Sequence, residues 1–168
     1  MSELPQPVGE KTAQIEKEKP TGPKRFVEKG PHTVLDTKTG VFWMKKDSWQ
    51  DKGKFFNWHE SRDYAETKNL RKIGGFADWR LPSKDEALAL FEPGKQLVGK
   101  GGIVLHLDPI FPEGAFKSCW LSGDTSTRRP RFDYEDGEVV SVHEYSFGAV
   151  RLCRKGPVNA DPRRLRSQ

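Results

Sequence analysis

A chain of 168 residues with a net charge of +5 has room for one folded domain plus extensions. Only 34% of the residues are hydrophobic, but five Trp and ten Phe can still supply a core, because each aromatic ring covers a large surface. No run of about 18 apolar residues occurs, so the sequence predicts no membrane span.

The basic charge lies at the two ends of the chain. Residues 1–30 carry six Lys or Arg and five Glu, residues 154–168 carry five basic residues and one Asp, and the segment between them has 18 of each sign. A nucleic-acid-binding domain normally displays a basic face on its folded part. The sequence therefore does not favour a specific nucleic-acid ligand. The basic C-terminal end is either a solvated tail or an arm for an acidic partner.

Both ends have the composition of tails. Proline, alternating Glu and Lys, and a lack of large apolar groups mark the first 24 residues, and Gly156-Pro157 begins the last segment. We predict a disordered tail at 1–29, one domain at 30–155 and a basic disordered tail at 156–168. The residues after Met1 lack the basic and apolar regions of a secretory signal. The expected location is the cytoplasm, or outside the cell if a signal was removed or export is unconventional.

The first predicted elements are a hairpin and two helices. Residues 33–36 and 41–44 are rich in strand-forming residues and flank a turn, as a β-hairpin would. Two capping boxes, Asn57 with Glu60 and Ser83 with Glu86, then predict helix starts. The first helix is expected over about 58–70, and the second is expected to be shorter and to stop before Pro93-Gly94.

The later part of the domain is predicted to be loops and strands. Residues 94–114 are rich in Gly and Pro and indicate an irregular loop. Segments 116–121, 130–134, 139–142 and 149–153 are typical of short strands, with a hairpin turn at 135–137. The expected fold class is α+β, with two helices packed on a small twisted antiparallel sheet with long loops.

The sequence contains no recognisable catalytic pattern. His32, His59, His106 and His143 share no metal-ligand spacing, and neither nucleophile-elbow nor phosphate-loop glycine patterns occur. The sequence thus predicts no metal, no cofactor and no enzyme activity. Cys119 and Cys153 lack C-x-x-C spacing, and they are either buried thiols or, in an oxidising compartment, a disulfide.

Three blocks resemble a known family. They are Gly-Gly-Phe-Ala-Asp-Trp-Arg-Leu-Pro at 74–82, Cys-Trp-Leu-Ser-Gly at 119–123 and Val-Arg-Leu-Cys-Arg at 150–154. Over 33–155 the chain resembles the Lcl C-terminal domain family, named for the sugar-binding end of a collagen-like bacterial adhesin. The resemblance implies a C-type-lectin-like or formylglycine-generating-enzyme-like fold. It also places Cys119 and Cys153 on two strands of one sheet.

Two features of those related folds are missing from the sequence. The calcium motifs of lectins, Glu-Pro-Asn and Trp-Asn-Asp, do not occur, and the paired cysteines of the oxidases are not matched. The resemblance therefore supports neither a calcium-bridged sugar site nor oxidase catalysis. Within the first block, we interpret Trp79 as a buried anchor, Arg80 as a donor to loop carbonyls or Asp78, and Pro82 as the residue that sets the chain before the Ser83 cap.

A late polar and aromatic segment is the candidate binding site. The resemblance places this segment on the ligand side, and aromatic faces beside Arg, Asp and Ser suit sugars or peptides. The same composition also fits a solvated hairpin. The candidate ligand-binding residues are Trp120, Ser122, Asp124, Arg128, Arg129, Arg131, Tyr134 and His143.

The sequence and the resemblance together predict a non-enzymatic recognition module. It would bind a glycan, a polyanion or a protein through its late loops. The alternatives are a structural or accessory subunit of a larger intracellular assembly and a degenerate oxidase-like enzyme.

Overall fold

The computed structural model of the protein describes residues 24–123 and 127–156. Its strands are β1 (Phe26–Lys29), β2 (Thr33–Asp36), β3 (Val41–Met44), β4 (Leu97–Val98), β5 (Val104–Leu105), β6 (Ser118–Trp120), β7 (Arg128–Asp133), β8 (Val139–His143) and β9 (Cys153–Lys155). Its helices are α1 (Ser48–Lys52), α2 (Trp58–Leu70) and α3 (Lys84–Leu90), with 3₁₀ turns at Ile73–Gly75 and Lys100–Gly102. Within these ranges, no helix is long and apolar enough to cross a membrane.

The strands form three separate antiparallel sheets. One has four strands in the order β1-β2-β3-β9, another has three in the order β6-β7-β8, and the third consists of β4 and β5. Three helices accompany them, so the predicted α+β class is confirmed. The structure differs from the expected architecture in two respects. The strands form separate four-stranded, three-stranded and two-stranded sheets instead of one small sheet, and a short third helix, α1, was not predicted.

The four-stranded sheet has core on both of its faces. Side chains alternate across a strand, so neighbouring residues of β2 and β3 reach opposite sides. Val34 and Trp43 pack in one hydrophobic cluster, with α3 and the three-stranded sheet. Leu35 and Phe42 pack in the other, with α2 and the segment before α3. Every residue of these two strands is buried for this reason.

The folded region begins earlier than the sequence predicts. Strand β1 pairs with β2, from Phe26 opposite Asp36 to Lys29 opposite Thr33. Phe26 is 3% exposed, and Arg25 makes a salt bridge of 2.7 Å with Asp36. The N-terminal boundary at residue 30 is therefore wrong, because one buried apolar residue, Phe26, is enough to anchor this edge strand on β2.

Local capping patterns correctly identify the two longer helices. Asn57 and Glu60 form the capping box of α2, and Ser83 and Glu86 form that of α3. Helix α1 has the same device at Asp47, whose second carboxylate oxygen accepts from the Phe116 backbone at 2.7 Å. With only five residues, α1 has too little apolar periodicity to be recognised in the sequence.

The predicted late strands are confirmed in part. Three of them correspond to β6, β7 and β8, and the turn at 135–137 joins β7 to β8. The last strand starts only at Cys153 and pairs with β3, so it belongs to the four-stranded sheet. Cys119 lies in β6, and the expectation that the two cysteines share one sheet is wrong. Residues 94–114 are not wholly irregular, because they contain the β4–β5 hairpin.

Candidate functional site

An open groove of about 470 Å³ lies along one side of helix α2. We call it the α2 groove. The helix forms one wall, and residues before α3 and after β6 form the other. Its lining residues are Trp58, Arg62, Ala65, Glu66, Asn69, Trp79, Arg80, Leu81, Ser122 and Gly123.

The helical wall follows from the spacing of residues along α2. Trp58, Arg62, Glu66 and Asn69 are separated by three or four positions and so share one face of the helix. Trp58 lies at the start of the helix and is buried, whereas Arg62 and Glu66 are exposed at the rim. The wall therefore offers an apolar base with one basic and one acidic group above it.

Hydrogen bonds hold the opposite wall against α2. The Asn69 side chain donates to the Trp79 carbonyl at 2.9 Å and accepts from the Trp79 amide at 2.6 Å. At the other end of the groove, the Trp58 indole N–H donates to the Leu121 carbonyl at 3.4 Å. The Ser122 amide donates to the Pro82 carbonyl at 2.8 Å, which joins the two parts of this wall. The groove is thus fixed by backbone contacts at both ends.

Two arginines stack on the indole of Trp58. The guanidinium carbon of Arg129 lies 3.8 Å from the ring centroid, and that of Arg62 lies 5.3 Å from it. Arg129 also donates to the Gly123 carbonyl at 2.9 Å. Arg129 therefore connects β7 to both the tryptophan and the rim of the α2 groove.

An ion pair lies where the groove meets α3. Arg80 donates to both carboxylate oxygens of Glu86, at 2.7 and 2.8 Å, and more weakly to the Leu81 carbonyl. The Arg80 hydrogen bonds lower the pKa of Glu86 to about 2. Asp78 instead pairs with the buried Arg154, at 2.9 and 3.1 Å. The predicted bond from Arg80 to a loop carbonyl is confirmed, and the predicted alternative, a bond to Asp78, is not.

We expect Glu86→Gln to lower the free energy of unfolding by about 1 kcal/mol at pH 7. The pKa shift of Glu86 from 4.5 to about 2 would correspond to about 3 kcal/mol at 1.36 kcal/mol per unit, and solvent screening of this half-exposed pair reduces it. Because the folded pKa is lowered, this stability is present above pH 4.5 and is lost as the pH falls towards 2. Urea denaturation at a series of pH values measures it.

Asp85→Asn is the matched control for Glu86→Gln, since Asp85 is an exposed acid on the same turn of α3. Glutamine keeps an oxygen that can accept from the Ser83 amide, so the comparison isolates the charge. If Glu86→Gln lowered the free energy of unfolding by the same amount at pH 7 and at pH 2, the ion pair would not be the source of the loss.

The structure separates the predicted site residues into several groups. Ser122 lines the α2 groove, and Arg129 reaches its rim. Arg128 donates to the Ser141 carbonyl, and Arg131 donates to the Phe147 carbonyl. His143 is exposed beside Tyr145, with ring centroids 5.6 Å apart. Asp124 lies outside the described residues.

Two predicted ligand-binding residues belong to the core instead. Trp120 is 0% exposed, and its indole N–H donates to the Phe56 carbonyl at 2.8 Å. Tyr134 is 1% exposed and packs on Phe132, with ring centroids 4.7 Å apart. Neither ring offers a face to a ligand in this structure. Their assignment to a ligand-facing surface is therefore corrected to a structural role.

The groove residues that the sequence prediction omitted lie mainly on α2. Helical spacing places Arg62, Glu66 and Asn69 on one face, but that pattern does not say which element packs beside them. Trp79 was predicted to be a buried anchor of the block at 74–82, and its exposed fraction of 2% confirms that prediction. Its indole N–H donates to the Ile73 carbonyl at 2.8 Å.

Both cysteines are buried free thiols. Burial raises the pKa of Cys119 to about 12, and burial together with the Glu86 carboxylate raises the pKa of Cys153 above its ordinary value. A thiol held in its protonated form is a poor nucleophile and a poor metal ligand. Among the residues that the structure describes, no three His, Cys, Asp or Glu side chains converge in a way that could hold a metal ion.

The fold and the groove define a small α+β domain whose surface cleft is bordered by arginine, carboxylate, amide and hydroxyl groups. The model of the Lcl C-terminal domain matches residues 32–154, and the chain belongs to that family. No curated protein matches the chain. The family match begins after β1, so this edge strand lies outside the part of the sequence that the resemblance could identify.

Proposed function

We propose that the protein is a non-enzymatic recognition module that binds a glycan chain in the α2 groove. The observation that carries this proposal is the combination of an apolar base with polar groups around it. Trp58, Trp79 and Leu81 line the base, where they are 5%, 2% and 7% exposed, and Arg62, Glu66 and Ser122 stand around it. Sugars present both C–H faces and hydroxyl groups, so they need this combination of contacts.

The charge balance of the groove favours a glycan over a polyanion. Arg80 is neutralised by Glu86, so Arg62 and Glu66 remain as one positive and one negative group at the rim. Arg129, at the edge, lies 3.9 Å from the carboxylate of Glu144. A polyanion site would require an excess of positive charge. A balanced rim instead supports hydrogen bonds from hydroxyl groups to both a guanidinium and a carboxylate.

The buried thiols support the non-enzymatic part of the proposal. An oxidase-like mechanism needs an accessible thiolate, and Cys119 is fully buried with a raised pKa. The open shape of the α2 groove also suits a chain that passes along the surface more than a reaction that needs water to be excluded.

A glycan array probed with the full chain, beside a pull-down from cell lysate, tests the proposed function. We expect binding to unsulfated as well as sulfated chains on the array. Absence of binding to any glycan, together with capture of the same protein complex in repeated pull-downs, would favour the accessory-subunit alternative instead.

Substitutions at the rim of the α2 groove are expected to weaken glycan binding without changing stability. For Arg62→Ala we expect a loss of affinity of about tenfold, because a hydrogen bond to a charged group contributes about 1.5–3 kcal/mol and this one is partly exposed. Arg71→Ala is the control, since Arg71 is an exposed arginine that follows α2 and does not line this groove. Isothermal titration with the strongest array ligand measures the difference.

Glu66→Gln distinguishes the two ligand classes. If the ligand is a glycan, removing the acceptor charge weakens binding by a few-fold. If the ligand is a polyanion, the same change strengthens binding, because it removes a repulsive charge. Tighter binding by Glu66→Gln, together with loss of all binding to unsulfated chains, would contradict the glycan proposal.

A further inference from the structure

Another cavity, of about 440 Å³, lies on a different side of helix α2 from the α2 groove. We call it the basic cavity. Tyr64, Lys68 and Arg71 form its helical wall, and their spacing of four and three positions places them on a face of α2 turned away from the groove. The opposite wall comes from the turn between β1 and β2 and from the chain that follows β3. The basic cavity is more enclosed than the α2 groove.

Hydrogen bonds hold the walls of the basic cavity in place. The Tyr64 hydroxyl donates to the Asp51 carboxylate at 2.7 Å, and Lys68 pairs with the same carboxylate at 2.8 Å. On the other wall, the Lys45 amide donates to the His32 carbonyl at 2.9 Å. The Lys68 side chain is 12% exposed, so its charge lies inside the cavity and not in open solvent. A ligand would therefore enter a cavity that is already formed and would lose little binding energy in ordering it.

The lining of the basic cavity carries more positive than negative charge. Its four cations are Lys45, Lys46, Lys68 and Arg71. Two carboxylates balance part of this charge, since Asp51 pairs with Lys68 and Glu28 pairs with Lys45 at 2.7 Å. Lys46 and Arg71 make no salt bridge within the residues that the structure describes. Four cations and two carboxylates leave a net charge of +2.

Charges near the basic cavity do not cancel this excess. Arg151 donates to two backbone carbonyls that border the cavity, at 3.0 and 2.7 Å, and the buried Asp47 offsets its charge. Glu60 and Asp63 lie in the first half of α2, whereas the cavity lies at its end. The last carbonyls of α2 accept from the backbone amides that follow the helix, at 3.2 and 3.1 Å. His32 lines the cavity and adds positive charge when it is protonated.

From this arrangement we propose that the basic cavity binds a small organic phosphate monoester. Such a group carries a charge of about −1.5 to −2 at pH 7, which matches the excess of the lining, and its oxygens accept from Lys46 and Arg71. The volume lies within the range of about 300–1,000 Å³ that is typical of small-molecule sites. Met44 and Ile73 also line the cavity, and their apolar side chains contact the organic part of the ligand.

This binding is separate from the proposed glycan binding, because no lining residue is common to the basic cavity and the α2 groove. The two cavities lie on different faces of one helix. One chain can then hold a glycan and a small phosphorylated ligand at the same time.

NMR titrations of the full chain with small probes test the proposal. We expect phenyl phosphate to shift the amide signals of residues 44–46 and 71–73 until they saturate. Phenyl sulfate has a similar shape but only one negative charge, and we expect it to bind about fivefold more weakly or worse. Inorganic phosphate lacks the apolar part and should also bind more weakly. Equal affinity for phenyl phosphate and phenyl sulfate, or no saturable shift at these residues, would overturn the proposal.

Point variants then locate the binding of phenyl phosphate. Lys46→Ala and Arg71→Ala are each expected to weaken it about tenfold, because each removes a charge-assisted hydrogen bond. Arg62→Ala and Lys84→Ala are the controls, since both residues are exposed cations that do not line the basic cavity. Equal weakening by a control would show a general charge effect and would contradict the site.

The same variants separate this proposal from the glycan proposal. Arg71→Ala should weaken phosphate binding and leave glycan binding unchanged, whereas Arg62→Ala should do the reverse. Failure of one proposal is therefore distinguishable from failure of the other.

Asp51→Asn tests the sign of the ligand's charge. The variant removes one of the two carboxylates and releases Lys68, so we expect phenyl phosphate to bind a few-fold more tightly. Asparagine keeps an oxygen that can accept from the Tyr64 hydroxyl, and an otherwise unchanged NMR spectrum confirms the fold. Weaker binding in a folded Asp51→Asn variant would mean that the carboxylate itself contacts the ligand, which contradicts an anion site.

Two other ligands of the basic cavity would give different results. Binding of a sulfated polysaccharide that depends on Lys46 and Arg71, without binding of phenyl phosphate, would assign these cations to a polyanion surface. Binding of phthalate as tightly as phenyl phosphate would assign the cavity to dicarboxylates. Either result overturns the phosphate proposal.

Discussion

Trp79→Ala is expected to lower the free energy of unfolding by about 3–5 kcal/mol, the range for truncating a buried aromatic residue. Trp79 is 2% exposed and meets Phe76 edge to face, with ring centroids 6.1 Å apart. Its indole N–H donates to the Ile73 carbonyl, so the variant loses a hydrogen bond in addition to creating a cavity. Urea denaturation followed by far-UV circular dichroism measures the change without relying on tryptophan fluorescence.

Trp79→Phe separates the two contributions. Phenylalanine keeps most of the ring but removes the indole donor, so the Ile73 carbonyl accepts only from the Phe76 amide at 3.2 Å, and we expect a loss of about 1–2 kcal/mol. Because Trp79 also lines the base of the α2 groove, its variants bear on binding too. If Trp79→Ala had wild-type stability but no glycan binding, the residue would be part of the site and not of the scaffold.

Trp120→Ala is the second variant with a large expected effect, again a loss of about 3–5 kcal/mol of unfolding free energy. The ring is fully buried in the cluster that contains Phe56 and Val150. Its indole N–H donates to the Phe56 carbonyl, and Gly148 packs directly against it. The same denaturation experiment applies, with Val140→Ala, a 41% exposed residue of β8, as the control for a tolerant position.

The result for Trp120 decides between the two roles assigned to this residue. The family resemblance placed it in a ligand-facing set, whereas the structure places it in the core. Unchanged stability combined with weaker ligand binding would restore the first interpretation. A large loss of stability, with glycan binding retained wherever the variant is still folded, would establish the second.

The sequence could predict features that depend on a few neighbouring residues. The capping boxes of α2 and α3 each involve two side chains three positions apart, so their partners are known before the chain folds. The hairpin of β2 and β3 likewise needs only a short turn. The nine-residue block at 74–82 was specific enough to identify the family, which the match over residues 32–154 confirms.

Features that depend on distant parts of the chain could not be predicted. Trp120 was assigned to the ligand side because the resemblance places the late polar and aromatic segment there, but β6 is covered on both sides. Cys119 packs in one cluster and Trp120 in the other, so alternation along this strand does not separate core from surface. The same holds for β9, whose pairing with β3 joins residues more than a hundred positions apart.

The candidate site also combines features that neighbouring residues determine with features that depend on distant parts of the chain. The amino-acid sequence by itself determined the face of α2 that carries Arg62 and Glu66, because helical periodicity is a local property. Only the tertiary structure decided that Trp79 and Ser122 stand opposite that face and enclose the α2 groove. It also decided that Phe55, Phe116 and Phe147 meet at one surface, because their contacts depend on how separate elements pack and not on their spacing along the chain.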